Sequence, residues 1–252
     1  MTVDWSALDR ELDTWQEAGL TLPLWWRDDD AIDRTPPLDL LSELSAHLNL
    51  PVHLAIIPKD AQTGLVEHMR STPQLIPVVH GWTHQSHAPA GEKKSEFGAH
   101  RPIDDRLDEA EAGLRRLKEL FGSSLRPMFV PPWNRIAPDM LPWLAGLGYA
   151  ALSTFTPRSQ SKAAPGLVQI NTHLDPIAWK DSRSLLPEDE LIRQVTQHLK
   201  DRRQGRADVR EPYGILTHHL IHNAAIWTFT EALIARLMAG PAVAWTYDER
   251  TS

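Results

Sequence analysis

The chain has 252 residues, enough for one α/β barrel-type domain over 1–252 with a sizeable core and short for two ordinary domains. Lys and Arg number 26 against 33 Asp and Glu, a net charge of −7, which argues against nucleic acid or an anionic membrane surface as a partner. There is no cysteine, so disulfides, thiolate metal sites, iron–sulfur clusters and cysteine nucleophiles are all excluded.

In chain order, apolar runs of strand length alternate with segments of helical period. The opening Met1-Thr2-Val3-Asp4-Trp5-Ser6 has no basic leader or apolar h-region. No uncharged apolar run approaches the roughly 20 residues that span a bilayer. The expectation is a cytoplasmic protein with no membrane partner. The first strand is predicted at 22–26, ending in Arg27-Asp28-Asp29-Asp30. A helix over 37–48 follows a Thr-Pro-Pro start. Strands at 52–57 and 75–79 come next, the latter ending in His80-Gly81-Trp82-Thr83-His84. A loop over 88–102 leads to a long helix at 104–121, with apolar residues at Leu107, Ala110, Leu114, Leu117 and Leu120. The strand at 127–130 ends in Pro131-Pro132-Trp133-Asn134-Arg135, and a helix at 139–147 stops at Gly148. Strands at 149–155 and 167–170, a helix at 187–203 and a charge-mixed loop at 204–212, read as solvated surface, precede the strand at 213–216. That strand ends in Thr217-His218-His219. A helix at 224–238 and an eighth apolar run at 243–247 complete the pattern. Seven or eight such units imply a closed or nearly closed parallel barrel with helices outside.

The polar clusters fall where strands end, which is where the loops of parallel α/β folds converge on an active site. His80 and His84 have a spacing that suits one face of a zinc site. With 12 histidines, chance supplies about half a pair at any chosen spacing, and His218 with His222 repeats it. Three adjacent carboxylates repel one another, so at least one wants a cation or a hydrogen-bonding partner, unless they simply cap a turn before Pro36. A carboxylate with two histidines leaves coordination positions open, as catalytic metal sites do. His218 and His219 are strand neighbours, so one points inward and the other into the helical layer. Five of the ten tryptophans lie beside these clusters: Trp25, Trp26, Trp82, Trp133 and Trp179. They suit either a sugar-binding wall or core packing.

Taken together, these motifs resemble the polysaccharide deacetylase superfamily, of the carbohydrate esterase family 4 type, over about residues 22–219. The matching parts, in family order, are Asp28-Asp29-Asp30, His80-Gly81-Trp82-Thr83-His84, Pro131-Pro132-Trp133 and Leu216-Thr217-His218. The resemblance implies a distorted (β/α)7 barrel. Its divalent metal, zinc by default with cobalt, nickel or iron also suited, sits on Asp30, His80 and His84. Its aspartate base is Asp29, or Asp28 in another register, and a third register makes Asp29 the ligand. His218 is the general acid. The implied reaction is removal of an acetyl group from an N-acetylated sugar or related amide, with the oxyanion held by the metal and a backbone N–H near Trp133. Trp133, Arg135 and Arg27 are the expected substrate-site residues. The family's third motif opens with an arginine that orients the base, and here that position is Val130, while Trp133-Asn134 replaces the usual aromatic-Gly. Arg27, two residues before Asp29, and Arg135 are the candidate replacements. Alternative readings are a decayed carbohydrate-binding barrel and a hydrolase of another C–N bond.

Overall fold

The computed structural model describes residues 3–248, so Met1, Thr2 and residues 249–252 of the segments read above lie outside it. The strands are β1 (Leu22–Ala31), β2 (Val52–Ile56), β3 (Leu75–His80), β4 (Met128–Val130), β5 (Ala151–Leu152), β6 (Lys162–Ala164), β7 (Leu167–Gln169), β8 (Tyr213–Thr217) and β9 (Ala242–Ala244). The helices are α1 (Ser6–Glu17), α2 (Pro36–Leu48), α3 (Thr63–Ser71), α4 (Ile103–Phe121), α5 (Leu141–Leu144), α6 (Glu188–Arg203) and α7 (Ala224–Ala239). Local chemistry sets their ends. Thr35 caps α2 by accepting from the Leu38 N–H, and left-handed Asn49 stops it. Asn223 caps α7 through the Ile226 N–H.

One sheet runs in the order β6-β7-β5-β4-β3-β2-β1-β8, with β9 also paired to β1. All pairings are parallel except the short β6–β7 hairpin. The sheet curls but does not close as a ladder. Between the end of β7 and β8 there is one isolated bridge, Leu174–Ile215, with the Leu216 N–H donating to the Leu174 carbonyl at 2.8 Å. Of the closed or nearly closed barrel expected, the structure has the nearly closed form. Side chains reinforce that seam. Glu211, 1 % exposed, receives the Asn171 N–H at 3.2 Å and the His173 Nε2–H at 3.1 Å, with Arg202 3.6 Å away. The 204–212 loop is therefore not simply solvated surface.

Strand alternation divides the apolar residues into two cores. Leu24, Trp26, Leu54, Ile56, Val79 and Phe129 face the helices. Trp25, Ala55, Val78, Met128, Val130, Ala151 and Ile170 fill the concave side. The run read as a strand at 243–247 pairs only through Ala242–Ala244. Tyr247 then turns into the concave core, and its N–H donates to His53 Nε2 at 3.0 Å. The helix expected at 139–147 shortens to a turn at Pro138–Met140 followed by α5, since Pro138 and Pro142 restart the chain there. The strand expected at 149–155 keeps two ladder residues.

Candidate metal centre

β1 runs straight through the three aspartates, and each of them ends in a different environment. Against β2, Asp28 pairs with Leu54 and Ala31 with Ile56, so β1 spends one extra residue there. Asp30 takes a left-handed φ of 76° at this bulge. The bulge breaks the alternation that would send Asp29 and Asp30 to opposite faces. Asp30 Oδ1 lies 3.0 Å from His80 Nε2 and 3.1 Å from His84 Nε2. One ligand atom from each of these three residues lies within 4.8 Å of the others.

The donor set suits a divalent cation. His80 Nδ1–H donates to the Val130 carbonyl at 2.9 Å, which fixes the ring's orientation and directs Nε2 at the cluster. Burial pushes the Asp30 carboxyl up, but hydrogen bonds from His80 and His84 outweigh it and hold the group well below the usual carboxylate range. For His80, burial acts downward and is outweighed by the Asp29 charge and the Asp30 bond, so it is raised. One carboxylate and two imidazoles are the ligands that borderline metals accept, with positions left for substrate.

The loop carrying His84 is held from beneath. Glu96, fully buried, accepts from the Thr83 N–H at 2.6 Å, the Thr83 hydroxyl at 2.7 Å and the Trp82 N–H at 3.3 Å. Gly81, at φ +58°, leaves room for that carboxylate; a Cβ there would meet Glu96 Oε2 at 2.4 Å and Pro132 Cδ at 2.6 Å. His84 is itself left-handed, as are Trp133 and Asn134. Of the left-handed non-glycine residues, four lie at this site, which is where backbone strain tends to collect. The Trp133 ring packs 4.4 Å from the His84 ring.

Asp29 is 3 % exposed and grips Arg27 with both oxygens, Nε to Oδ1 at 2.9 Å and Nη2 to Oδ2 at 3.0 Å. Arg27 also donates to the Ser153 hydroxyl at 2.7 Å, the Thr154 carbonyl at 3.3 Å and Asn134 Oδ1 at 2.6 Å. All five guanidinium N–H groups are thereby used. Arg135 makes no bond to Asp29; its Nη1–H donates to the Lys94 carbonyl at 2.9 Å.

Asp28, the alternative base in the sequence reading, lies on the other face of β1, fully buried. Its Oδ1 meets His219 Nδ1 at 2.5 Å, and its Oδ2 accepts the Thr217 hydroxyl and the His219 N–H at 2.5 and 3.0 Å. No oxygen is left for the metal cluster. His219 is raised, because Asp28 outweighs the downward effect of burial. His218, on the alternate position, packs edge-on against Trp179 at 4.7 Å. Asp175, which no sequence motif pointed to, sits beside them. It accepts from Trp179 Nε1–H at 2.7 Å and the Ile177 N–H at 3.0 Å. Burial raises its carboxyl against the opposing charge of His218. Glu96, Ser153 and Asp175 came from no sequence pattern; an isolated carboxylate or hydroxyl carries no periodic signal.

No family model matches the chain, and no curated protein matches it in sequence. Solved structures do match in fold. A family 4 carbohydrate esterase from Streptomyces lividans, in complex with acetate, aligns over 91% of this chain and 95% of its own at TM-score 0.52 and 13% identity. The Bc1960 peptidoglycan N-acetylglucosamine deacetylase aligns over 88% and 85% at TM-score 0.53 and 15% identity. A mutant of BA3943, a CE4 family pseudoenzyme, aligns over 89% and 65% at TM-score 0.55 and 10% identity. The chain thus has the polysaccharide deacetylase fold of the family 4 type, with a mostly parallel sheet and helices around it.

Proposed function

We propose that this chain is a metal-dependent deacetylase that hydrolyses the acetyl amide of an N-acetylated sugar or a related small amide. The observation that carries the reading is the convergence of Asp30, His80 and His84 beside an aspartate that is held but not consumed by them. A divalent ion bound there, zinc by default, supplies a Lewis acid that polarises an acyl carbonyl and acidifies water.

The chain's own groups account for the rest. Asp29 takes the proton of the attacking water, and the Arg27 fork keeps its carboxylate aimed. The Trp133 backbone N–H serves the developing oxyanion. His218 gives a proton to the departing nitrogen as the C–N bond breaks, with Trp179, bonded to Asp175, packed against its ring. Water's oxygen ends in acetate and the nitrogen leaves as a free amine. We assign the base to Asp29 rather than Asp28, whose oxygens are all engaged by His219 and Thr217. Trp133 and Trp179 stand as aromatic walls for a sugar ring.

A second reading, a decayed carbohydrate-binding barrel, is favoured by Val130 at the family's arginine position and by a pseudoenzyme of this fold. Against it, Arg27 reaches Asp29 from the same strand. Purified protein is expected to carry close to one divalent ion per chain, with His80→Ala and His84→Ala losing it. An amine-release screen on metal-loaded protein should give equal acetate and amine. His218→Ala should lose roughly 10²–10⁴-fold in kcat with metal retained. Full metal occupancy in both ligand variants, or no amide turned over by loaded protein, overturns the reading.

A further inference from the structure

The loop between β3 and α4 brings positive charge to the rim of the site. Its acidic groups are already engaged: Glu92 lies 3.7 Å from His100, Glu96 is buried under Thr83, and Glu109 of α4 holds Arg101. Lys94 and Arg135 have no carboxylate partner among the described residues, although the chain's net charge is −7. The two residues are tied through the backbone. Arg135 Nη1–H donates to Lys94's own carbonyl at 2.9 Å, and the next residues, Ser95, Glu96 and Phe97, are buried. Phe97 bridges to Ile136, so Lys94 rides on an anchored segment.

The Lys94 ammonium lies over the Trp133 ring, 5.8 Å from its centroid, and the opposite partner of that ring is His84 of the metal cluster. Beside His218, Asp175 accepts from exposed Trp179. A cation without a counter-charge at the rim of a site attracts an arriving anion.

We infer that the substrate of this site is anionic: it carries a phosphate or carboxylate about one sugar ring from the scissile acetamide, received by Lys94 and Arg135 with Trp133 under the ring. This rests on the deacetylase reading and sets its substrate class. The test compares acetate release from N-acetylglucosamine, its 1-phosphate, its 6-phosphate and N-acetylmuramic acid, in metal-loaded wild type, Lys94→Ala and Lys94→Arg. Calorimetric binding of glucosamine and glucosamine 6-phosphate runs beside it and needs no turnover. At least one anionic substrate should exceed the neutral one by about tenfold in kcat/KM, mostly through KM. That ratio should fall towards one in Lys94→Ala, survive in Lys94→Arg and weaken with added salt. The phosphate and carboxylate arms identify the source of the anion. Equal kcat/KM for neutral and anionic sugars in wild type, or a ratio unchanged in Lys94→Ala, overturns the inference. If no sugar is deacetylated while glucosamine 6-phosphate binds in a Lys94-dependent way, the deacetylase reading fails and the anion site stands.

Discussion

Arg27 and Asp29 form a fully buried ion pair, and such a pair is costly unless its geometry is near ideal. Here the fork is bidentate and every remaining N–H is spoken for. The arrangement makes Arg27 a positioning residue for Asp29. Arg27→Ala should lower kcat while KM and metal content change little. It should also cost about 3–5 kcal/mol in stability, because Asp29 is left buried and unpaired. Kinetics, metal content and a urea melt on the same preparation check this, and unchanged turnover overturns it. Arg27→Lys, which keeps the charge and loses the fork, should recover stability more than rate. The pairing was legible in the sequence, since residues two apart on a strand share a face. The bulge was not. Three adjacent aspartates look identical in sequence, and only the register against β2 separates Asp28 from Asp30.

Of the three candidate ligands, His84 depends on the turn between β3 and Glu96, while Asp30 and His80 lie on β1 and β3. Gly81→Ala introduces a Cβ against Pro132 and the Glu96 carboxylate, at a φ that L side chains rarely adopt. Strain and overpacking together should cost about 2–5 kcal/mol and weaken metal affinity. Thermal melting with and without added metal checks both, and a variant as stable and as tightly metallated as wild type overturns the account. The main strands and helices were legible from apolar runs and period. α1 and α3 were passed over, though α1 buries Leu8, Leu12 and Trp15 on one face. β7 falls on the strand expected at 167–170, but its hairpin partner β6 was missed, because three half-exposed residues give too short a pattern to register.

The molecule also keeps three histidines neutral in its interior. Burial lowers His53, His173 and His222 to about 4. Each is easier to protonate when unfolded, near pH 6.5, so each contributes stability that is present above that pH and lost as pH falls towards 4. Asp28 and Asp30, lowered below the ordinary carboxylate value, act only at more acid pH. His80 and His219, raised above 6.5, oppose this loss, since their contribution is fully present below pH 6.5 and falls as pH rises above it. Raised Asp175 opposes with one proton. Urea unfolding at pH 7 and pH 4.5 should therefore show a loss of several kcal/mol. Equal stability at the two values overturns the neutral assignment.

The seam at Leu174–Ile215 makes the barrel a split ring rather than a hoop. On one side of the split, β8 is laddered to β1, so His218 travels with Asp29 and Asp30. On the other side, Asp175 and Trp179 follow the end of β7 and travel with β5. Springing the split would part Asp175 and Trp179 from His218 and leave the Asp30, His80 and His84 cluster intact. A barrel cut at this place joins His218 to Asp175 and Trp179 across one bridge and the Glu211 contacts, whereas Asp30, His80 and His84 are set by the continuous ladder of β1, β2 and β3.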